Sequence, residues 1–159
     1  MKNDISAIGN ALVDTVFKVE HSLISELGLE IDQMTLSSAE EHVPIIERLI
    51  ASGADTVSDC GGSATNSLVA AASFGAKCFH ICKVSEDQDG LRYLKSLKEA
   101  GVDHKGNTAS ANSVPTGKCL ILVTPDAKRT MSTALNISCL LYTSPSPRDL
   151  STSRMPSSA

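Results

Sequence analysis

Asp59-Cys60-Gly61-Gly62-Ser63-Ala64-Thr65-Asn66 places two adjacent glycines between a β-branched stretch and a run of small residues. Glycine pairs allow positive φ and let backbone approach a ligand closely. A helix opening there would add free N–H donors, a setting that suits a polar or anionic group. The plainer account is an ordinary strand-to-helix turn with Ser63 as its N-cap. The stretch lacks the Lys-Ser/Thr of a Walker A loop and the third glycine of a dinucleotide fingerprint. A second constellation is Gly9-Asn10 with Asp14 four residues on. An amide and a carboxylate leaving the carboxyl end of a first strand are placed to pair with sugar hydroxyls, although the same pattern also serves as turn chemistry with a surface charge. The third is Pro115-Thr116-Gly117, an apolar run, then Asp126 to Thr130 with Arg129. The Arg129 guanidinium suits a phosphate or carboxylate, and the plainer account is a hairpin carrying a solvated arginine.

Positioning these groups requires alternating strands and helices. Ile5 to Ile8 reads as a buried strand and Leu12 to Val19 as a half-exposed one. Ser37 and Ser38 before Glu40 and Glu41 predict a capped helix with Val43, Ile46, Leu49 and Ile50 along one side, ending near Gly53. Pro44 implies that this helix starts there or is kinked there. Thr56 to Cys60 is a strand, followed by a small-residue helix with Leu68, Ala71 and Ala72 inward. Cys78 to Val84 is apolar enough to be covered on both faces. Asp89 to Ala100 forms an amphipathic helix on Leu91, Leu94 and Leu97, stopped by Gly101. Lys118 to Thr124 is a further buried strand before a turn at Pro125 to Lys128. The order predicts an α/β domain with a mainly parallel central sheet, and the shorter, more polar strands form a separate small sheet.

Composition narrows the partners. The 159 residues are 42% apolar, enough for a core, and carry a net charge of −4. That gives no broad positive field for nucleic acid or anionic lipid. No stretch has the pattern of a signal peptide or the length of a membrane span, so the expected location is the cytoplasm. Five cysteines without CxxC spacing, Cys78 and Cys82 among them on one strand face, read as reduced core thiols. The four histidines form no metal-ligand pattern.

Four segments in register, GNALVD, GGSATN, KVSEDQDG and PTGKCLILVTPDAKRTMST, resemble the N-terminal half of PfkB-family (ribokinase-like) kinases, most of all the adenosine kinase-like subgroup. The resemblance runs from about Ile5 to Ser138 and implies part of a three-layer α/β sandwich, with a central sheet and a small β-sheet lid over the sugar. It implies substrate contacts at Asn10, Asp14, Gly61, Gly62 and Asn66, and a place near the transferred phosphoryl group for Arg129. It also implies a sugar or nucleoside substrate, ATP and Mg²⁺ as cofactors of the intact enzyme, and pairing of two copies through the lid in some members. Ser85 and Leu68 depart from the residues usual in the family.

The Gly-Ala-Gly-Asp type segment that supplies the family's anion hole and base aspartate occurs nowhere in the 159 residues. Residues 1–138 therefore read as the N-terminal, substrate-binding part of a kinase, without catalytic residues and with no strong ATP or Mg²⁺ binding of its own. Residues 139–159 are rich in Ser, Thr and Pro and read as a disordered tail, and Cys139 to Asp149 resembles translated sequencing-adapter sequence. The expected activity of this chain is none. The alternative is a non-catalytic sugar- or nucleoside-binding module.

Overall fold

The structure, a computed structural model, describes the backbone of residues 3–109 and 114–142 and the side chains of residues 3–105 and 114–141. In chain order the elements are β1 (Ile5–Ile8), β2 (Leu12–Lys18), α1 (His21–Glu26), β3 (Met34–Leu36), α2 (Ala39–Ala51), β4 (Thr56–Gly61), α3 (Ser63–Ser73), β5 (Cys78–Ser85), α4 (Gln88–Glu99), β6 (Val102–Ala109), β7 (Gly117–Val123) and β8 (Arg129–Ala134). A 3-10 turn over Asn136–Tyr142 follows. β1, β5 and β6 form a parallel sheet with β5 in the middle. The second sheet runs β3-β8-β7-β2-β4 and mixes directions: β2 is parallel to β7 and antiparallel to β4.

Two apolar clusters hold these layers. Beneath the parallel sheet, Cys78, Cys82 and Val84 of β5 pack with Leu68 of α3, Tyr93 and Leu97 of α4, and Val13 of β2. Beneath the mixed sheet, Phe17, Leu120 and Leu122 pack with Leu23 and Ile24 of α1 and Ile45 and Leu49 of α2. β2 belongs to both, because Val13 and Phe17 lie on one face four residues apart. Burying a side chain such as Leu97 or Leu122 is worth roughly 1.5–3 kcal/mol, so these clusters are the main source of stability.

The α/β class, the parallel sheet and the second sheet agree with the expectation from sequence, but the proportions differ. Among the described residues the mixed sheet has five strands and the parallel sheet three, because Lys118 to Val123 joins the mixed sheet. β1 is not buried: Ile5 is 43% and Ile8 55% exposed, since β5 covers one edge and no described strand covers the other. β5 alternates buried and half-buried residues, so one of its faces is fully covered and the other partly.

The capped helix expected from Ser37 and Ser38 starts at Ala39, as its cap predicts, and not at Pro44, which it carries inside. Ser38 accepts from the Glu41 amide while the Glu41 carboxylate accepts from the Ser38 amide. That reciprocal cap fixes the start five residues before Pro44, and the inward residues are His42, Ile45 and Leu49 whereas Val43 and Ile50 face out. In α4 the Leu91 side chain is exposed, and Tyr93 takes its inward place between Gly90 and Leu97. The 3-10 turn carries ordered backbone four residues past Ser138, where the tail was expected to begin, and residues 143–159 lie outside the described residues. No helix among the described residues is long and apolar enough to cross a membrane.

Candidate functional site

β1 ends at Ile8 and the chain turns at Gly9-Asn10 into β2, which runs antiparallel beside β4. Leu12 pairs with Gly61 and Asp14 with Asp59, so all four residues share one face of the mixed sheet. A β-carbon on Gly61 would fall within the Asp14 carboxyl group. The bare glycine is therefore what lets the carboxylate lie across the end of β4. Gly62 follows with φ +97° and is the N-cap of α3, which corrects the reading of Ser63 as cap: Ser63 is already the first helical residue. A β-carbon on Gly62 would stand 2.5 Å from the Asn10 carbonyl oxygen, and one on Gly9 would stand 2.6 Å from the Ala64 β-carbon. The two glycine turns are thus interlocked. Asn66 lies one turn into α3, its amide donating to the Gly62 carbonyl at 2.9 Å and its side chain exposed.

Five of the six residues singled out from sequence therefore sit around one end of β2 and α3, and Arg129 reaches the same place electrostatically. Burial pushes the Asp14 carboxyl above its ordinary value, the Arg129 guanidinium pulls it back down, and Asp59 adds to the rise. The Asn10 side-chain oxygen is buried and has no hydrogen-bond partner among the described residues. The thiol of Cys60 is pushed up to about 11 by burial first and by Asp59 second. It stays protonated near neutrality and offers no thiolate nucleophile.

Asp59 escaped the reading from sequence. Its spacing of two from Gly61 puts both on one face of β4, which is the signal that identifies it. The Asp59–Asp14 row continues across the sheet through Cys119 of β7, Thr133 of β8 and Leu36 of β3. Thr133 Oγ1 donates to Cys119 Sγ at 3.2 Å. Beside Leu36 and Thr133 opens a cavity of about 460 Å³, also lined by Ser37, Pro115, Leu135 and Asn136. That size suits a small molecule. A larger cavity, about 560 Å³, lies at the other end of the same sheet around Lys18, Leu23, Arg48 and Val123. Neither cavity is lined by the glycine turns or by Asp14, but the smaller one is reached by the Asp14–Cys119–Thr133–Leu36 row, whose last two residues line it.

A clamp on the neighbouring strand also went unread. Asp87 caps α4 by accepting from the Gly90 amide at 2.7 Å, and its carboxylate also accepts from the Thr116 amide at 2.8 Å and hydroxyl at 2.7 Å. The Thr116 hydroxyl accepts from the Ser85 amide at 3.0 Å, and Asn136 donates to the Thr116 carbonyl at 3.1 Å. The SEDQDG and PTG segments are thereby joined where β7 enters the mixed sheet. Lys118, next along, pairs with Asp89 at 2.7 Å.

Among the described residues no group of three His, Cys, Asp or Glu side chains could hold a metal ion. The 159 residues contain no Gly-Ala-Gly-Asp segment. What the arrangement offers is recognition: a carboxylate, a free amide acceptor and close backbone, with a cation at one side.

The pfkB family carbohydrate kinase pattern matches residues 30–151, which includes the double glycine and Arg129 but begins after Asn10 and Asp14. The fold is similar to that of an adenosine kinase from Sinorhizobium meliloti, with 30% identity and a TM-score of 0.73 over 87% of this chain and 41% of that one. A probable sugar kinase from Rhizobium etli CFN 42 superposes with a TM-score of 0.77 at 26% identity, over 86% of this chain and 40% of that one. Anopheles gambiae adenosine kinase, solved with P1,P4-di(adenosine-5) tetraphosphate, shares the fold at 22% identity, with a TM-score of 0.72 over 92% of this chain and 44% of that one. The chain spans about two fifths of the length of these relatives. Among curated proteins none matches. By the span of the family match and the likeness at 30% identity, this chain belongs to the pfkB family of carbohydrate kinases.

Proposed function

We propose that the chain is the substrate-binding part of an ATP-dependent sugar or nucleoside kinase, with adenosine or a related ribose compound as its ligand. Asn10, Asp14, Gly61, Gly62 and Asn66 contact the sugar, and Arg129 lies on the phosphoryl side. The observation that carries this reading is the Asp14 carboxylate lying over Gly61 where Gly62 begins α3 against the Asn10 carbonyl. A carboxylate accepts from two sugar hydroxyls at once, and the glycines leave room for the ring to approach the backbone. The cavity beside Leu36 and Thr133 is of a size to take a nucleobase or a second sugar substituent.

ATP and Mg²⁺ serve the complete family enzyme, in which phosphoryl transfer needs an anion hole and a base as well as a bound sugar. Because the chain has no Gly-Ala-Gly-Asp segment, its activity is binding without transfer, which also favours the second reading of a non-catalytic binding module. The free thiols of Cys78, Cys82 and Cys119, all buried, fit a reducing compartment such as the cytoplasm. The test is incubation of the purified chain with ATP, Mg²⁺ and either adenosine or ribose, with equilibrium dialysis run in parallel. The expected result is saturable retention of at least one of the two without phosphorylated product. Turnover would overturn the inactive reading, and no retention of either by folded chain would overturn the binding reading.

A further inference from the structure

Behind the two glycine turns lies a buried polar chain made of side chains other than the proposed sugar contacts. Thr65 of α3, His80 of β5 and Tyr93 of α4 are all 0% exposed. Tyr93 Oη lies 2.7 Å from Thr65 Oγ1, Thr65 Oγ1 lies 3.2 Å from His80 Nε2, and His80 Nδ1 lies 3.3 Å from the Ala7 carbonyl oxygen. A carbonyl only accepts, so Nδ1 carries the proton. Nε2 of the neutral ring is then an acceptor, Thr65 must donate to it, and Tyr93 must donate to Thr65. The direction of every bond follows from the last one: Tyr93 to Thr65 to His80 to Ala7.

Two members of this run of bonds lie next to the glycine turns. Ala7 stands two residues before Gly9, and Thr65 stands in the first turn of α3, its hydroxyl 3.6 Å from where a β-carbon of Gly62 would be. We propose that Tyr93, Thr65 and His80 are positioning residues, which hold the first turn of α3 in register with the Gly9-Asn10 turn and so set sugar affinity without touching sugar. This rests on the sugar-binding reading above.

The device is sensitive to acid. Burial, with the nearby His104 of β6, holds the His80 imidazole below its ordinary value even though the Ala7 carbonyl favours the charged ring. Besides His104, the titratable groups that pack around these side chains among the described residues are Tyr93 of α4, Cys78 and Cys82 of β5, and Cys60 of β4. A proton on Nε2 would turn that atom into a donor facing a donor. Thr65 would have to rotate to accept from Nε2, and its own proton would lose its partner on His80, so the ordered run of bonds would be broken at Thr65. A histidine whose charged form is disfavoured on folding contributes stability that is complete above its unfolded value, about 6.5, and falls away as pH drops below it.

The experiment compares the full chain with His80→Gln, His80→Leu and Tyr93→Phe between pH 5 and 8. Glutamine has a donor and an acceptor on one group and can serve both Ala7 and Thr65 without titrating, whereas leucine serves neither. Without ligand, nitrogen-detected imidazole spectra should show a neutral Nδ1–H ring at pH 7.5. Amide exchange across residues 62–66 should rise at least tenfold in His80→Leu and stay within about twofold in His80→Gln. With adenosine or ribose, whichever binds, affinity should fall five- to tenfold in Tyr93→Phe and His80→Leu. The acid limb of binding in the unaltered chain should be absent in His80→Gln.

An Nε2–H ring at pH 7.5, equal exchange in His80→Leu and the unaltered chain, or an acid limb kept by His80→Gln would each overturn the proposal. If His80→Leu does not fold, Tyr93→Phe and His80→Gln decide. If neither ligand binds the unaltered chain, the sugar-binding reading has failed, and the spectra and exchange still decide the positioning claim.

Discussion

At Gly62 a methyl group has nowhere to go. The residue's φ is +97° and its missing β-carbon would stand 2.5 Å from the Asn10 carbonyl, a backbone atom that cannot rotate away. Gly62→Ala should cost about 1–3 kcal/mol in chemical denaturation, from left-handed strain and the displaced Asn10 turn together. Gly28, also at positive φ but with open space around it, is the control: Gly28→Ala should cost only the conformational part, about 1 kcal/mol. Equal losses at the two sites would mean that the interlocked turns impose no steric demand.

Asp87 makes a prediction about acid. Burial acts to raise its carboxyl, but the hydrogen bonds from Thr116 and Gly90 and the Lys118 charge outweigh burial and hold it below its ordinary value. A carboxylate depressed on folding adds stability above its unfolded value, about 3.9, and that stability is lost as pH falls through the lower folded value. Asp87→Asn should therefore destabilise at pH 7 and make the denaturation midpoint flatter below pH 4 than in the unaltered chain. Parallel acid limbs would show that the Asp87–Thr116 clamp does not form in solution.

At the scale of elements, the helix over Ala39–Ala51 shows which local signal wins. The Ser38–Glu41 capping box sets the start, and Pro44 is carried inside although it removes the N–H that would reach Glu40 and crowds that carbonyl. Pro44→Ala should raise stability by about 1–3 kcal/mol, and Ser38→Ala should lower it by about 1 kcal/mol, both read by urea denaturation. A destabilising Pro44→Ala would show that the proline has a tertiary role.

The same scale explains what the sequence could disclose. Strands Thr56–Gly61 and Gly117–Val123 and the helix ending at Glu99 follow from runs of β-branched residues, helical spacing and a stop glycine, all local signals. Which sheet a strand joins is not local: Lys118 to Val123 reads as a buried strand and is central and parallel to β2, but the sheet it centres is the mixed one, with β8 antiparallel on its other side. The site was legible as two glycine turns and a carboxylate because close backbone approach demands glycine. Asp59, Asp87 and His80 were not, because their roles come from cross-strand register and from partners 29 or 73 residues away.

At the scale of the molecule, the two sheets end in four edge strands among the described residues, β1, β6, β3 and β4, and three of these carry exposed apolar side chains: Ile5 and Ile8 on β1, Met34 and Leu36 on β3, and Val57 on β4. Unpaired edges bearing apolar side chains promote association between chains. The chain should sediment as a concentration-dependent mixture at tens of micromolar, and Ile8→Lys should shift it toward monomer. A single monomeric species across that range would show that these edges are protected.

The two apolar clusters share β2, which carries Asp14 between Val13 and Phe17, so the proposed binding group stands on the strand that joins the two halves of the core. Under that proposal a ligand that engages Asp14 should raise the denaturation midpoint by mass action. The most direct test is calorimetric titration of adenosine and of ribose into the chain and into Asp14→Asn at pH 7.5, each shown by circular dichroism to be folded. Saturable binding of at least one ligand, weakened at least tenfold in Asp14→Asn, is the predicted result. Equal affinity in the two proteins, or no binding by the folded unaltered chain, would contradict the assignment of this site.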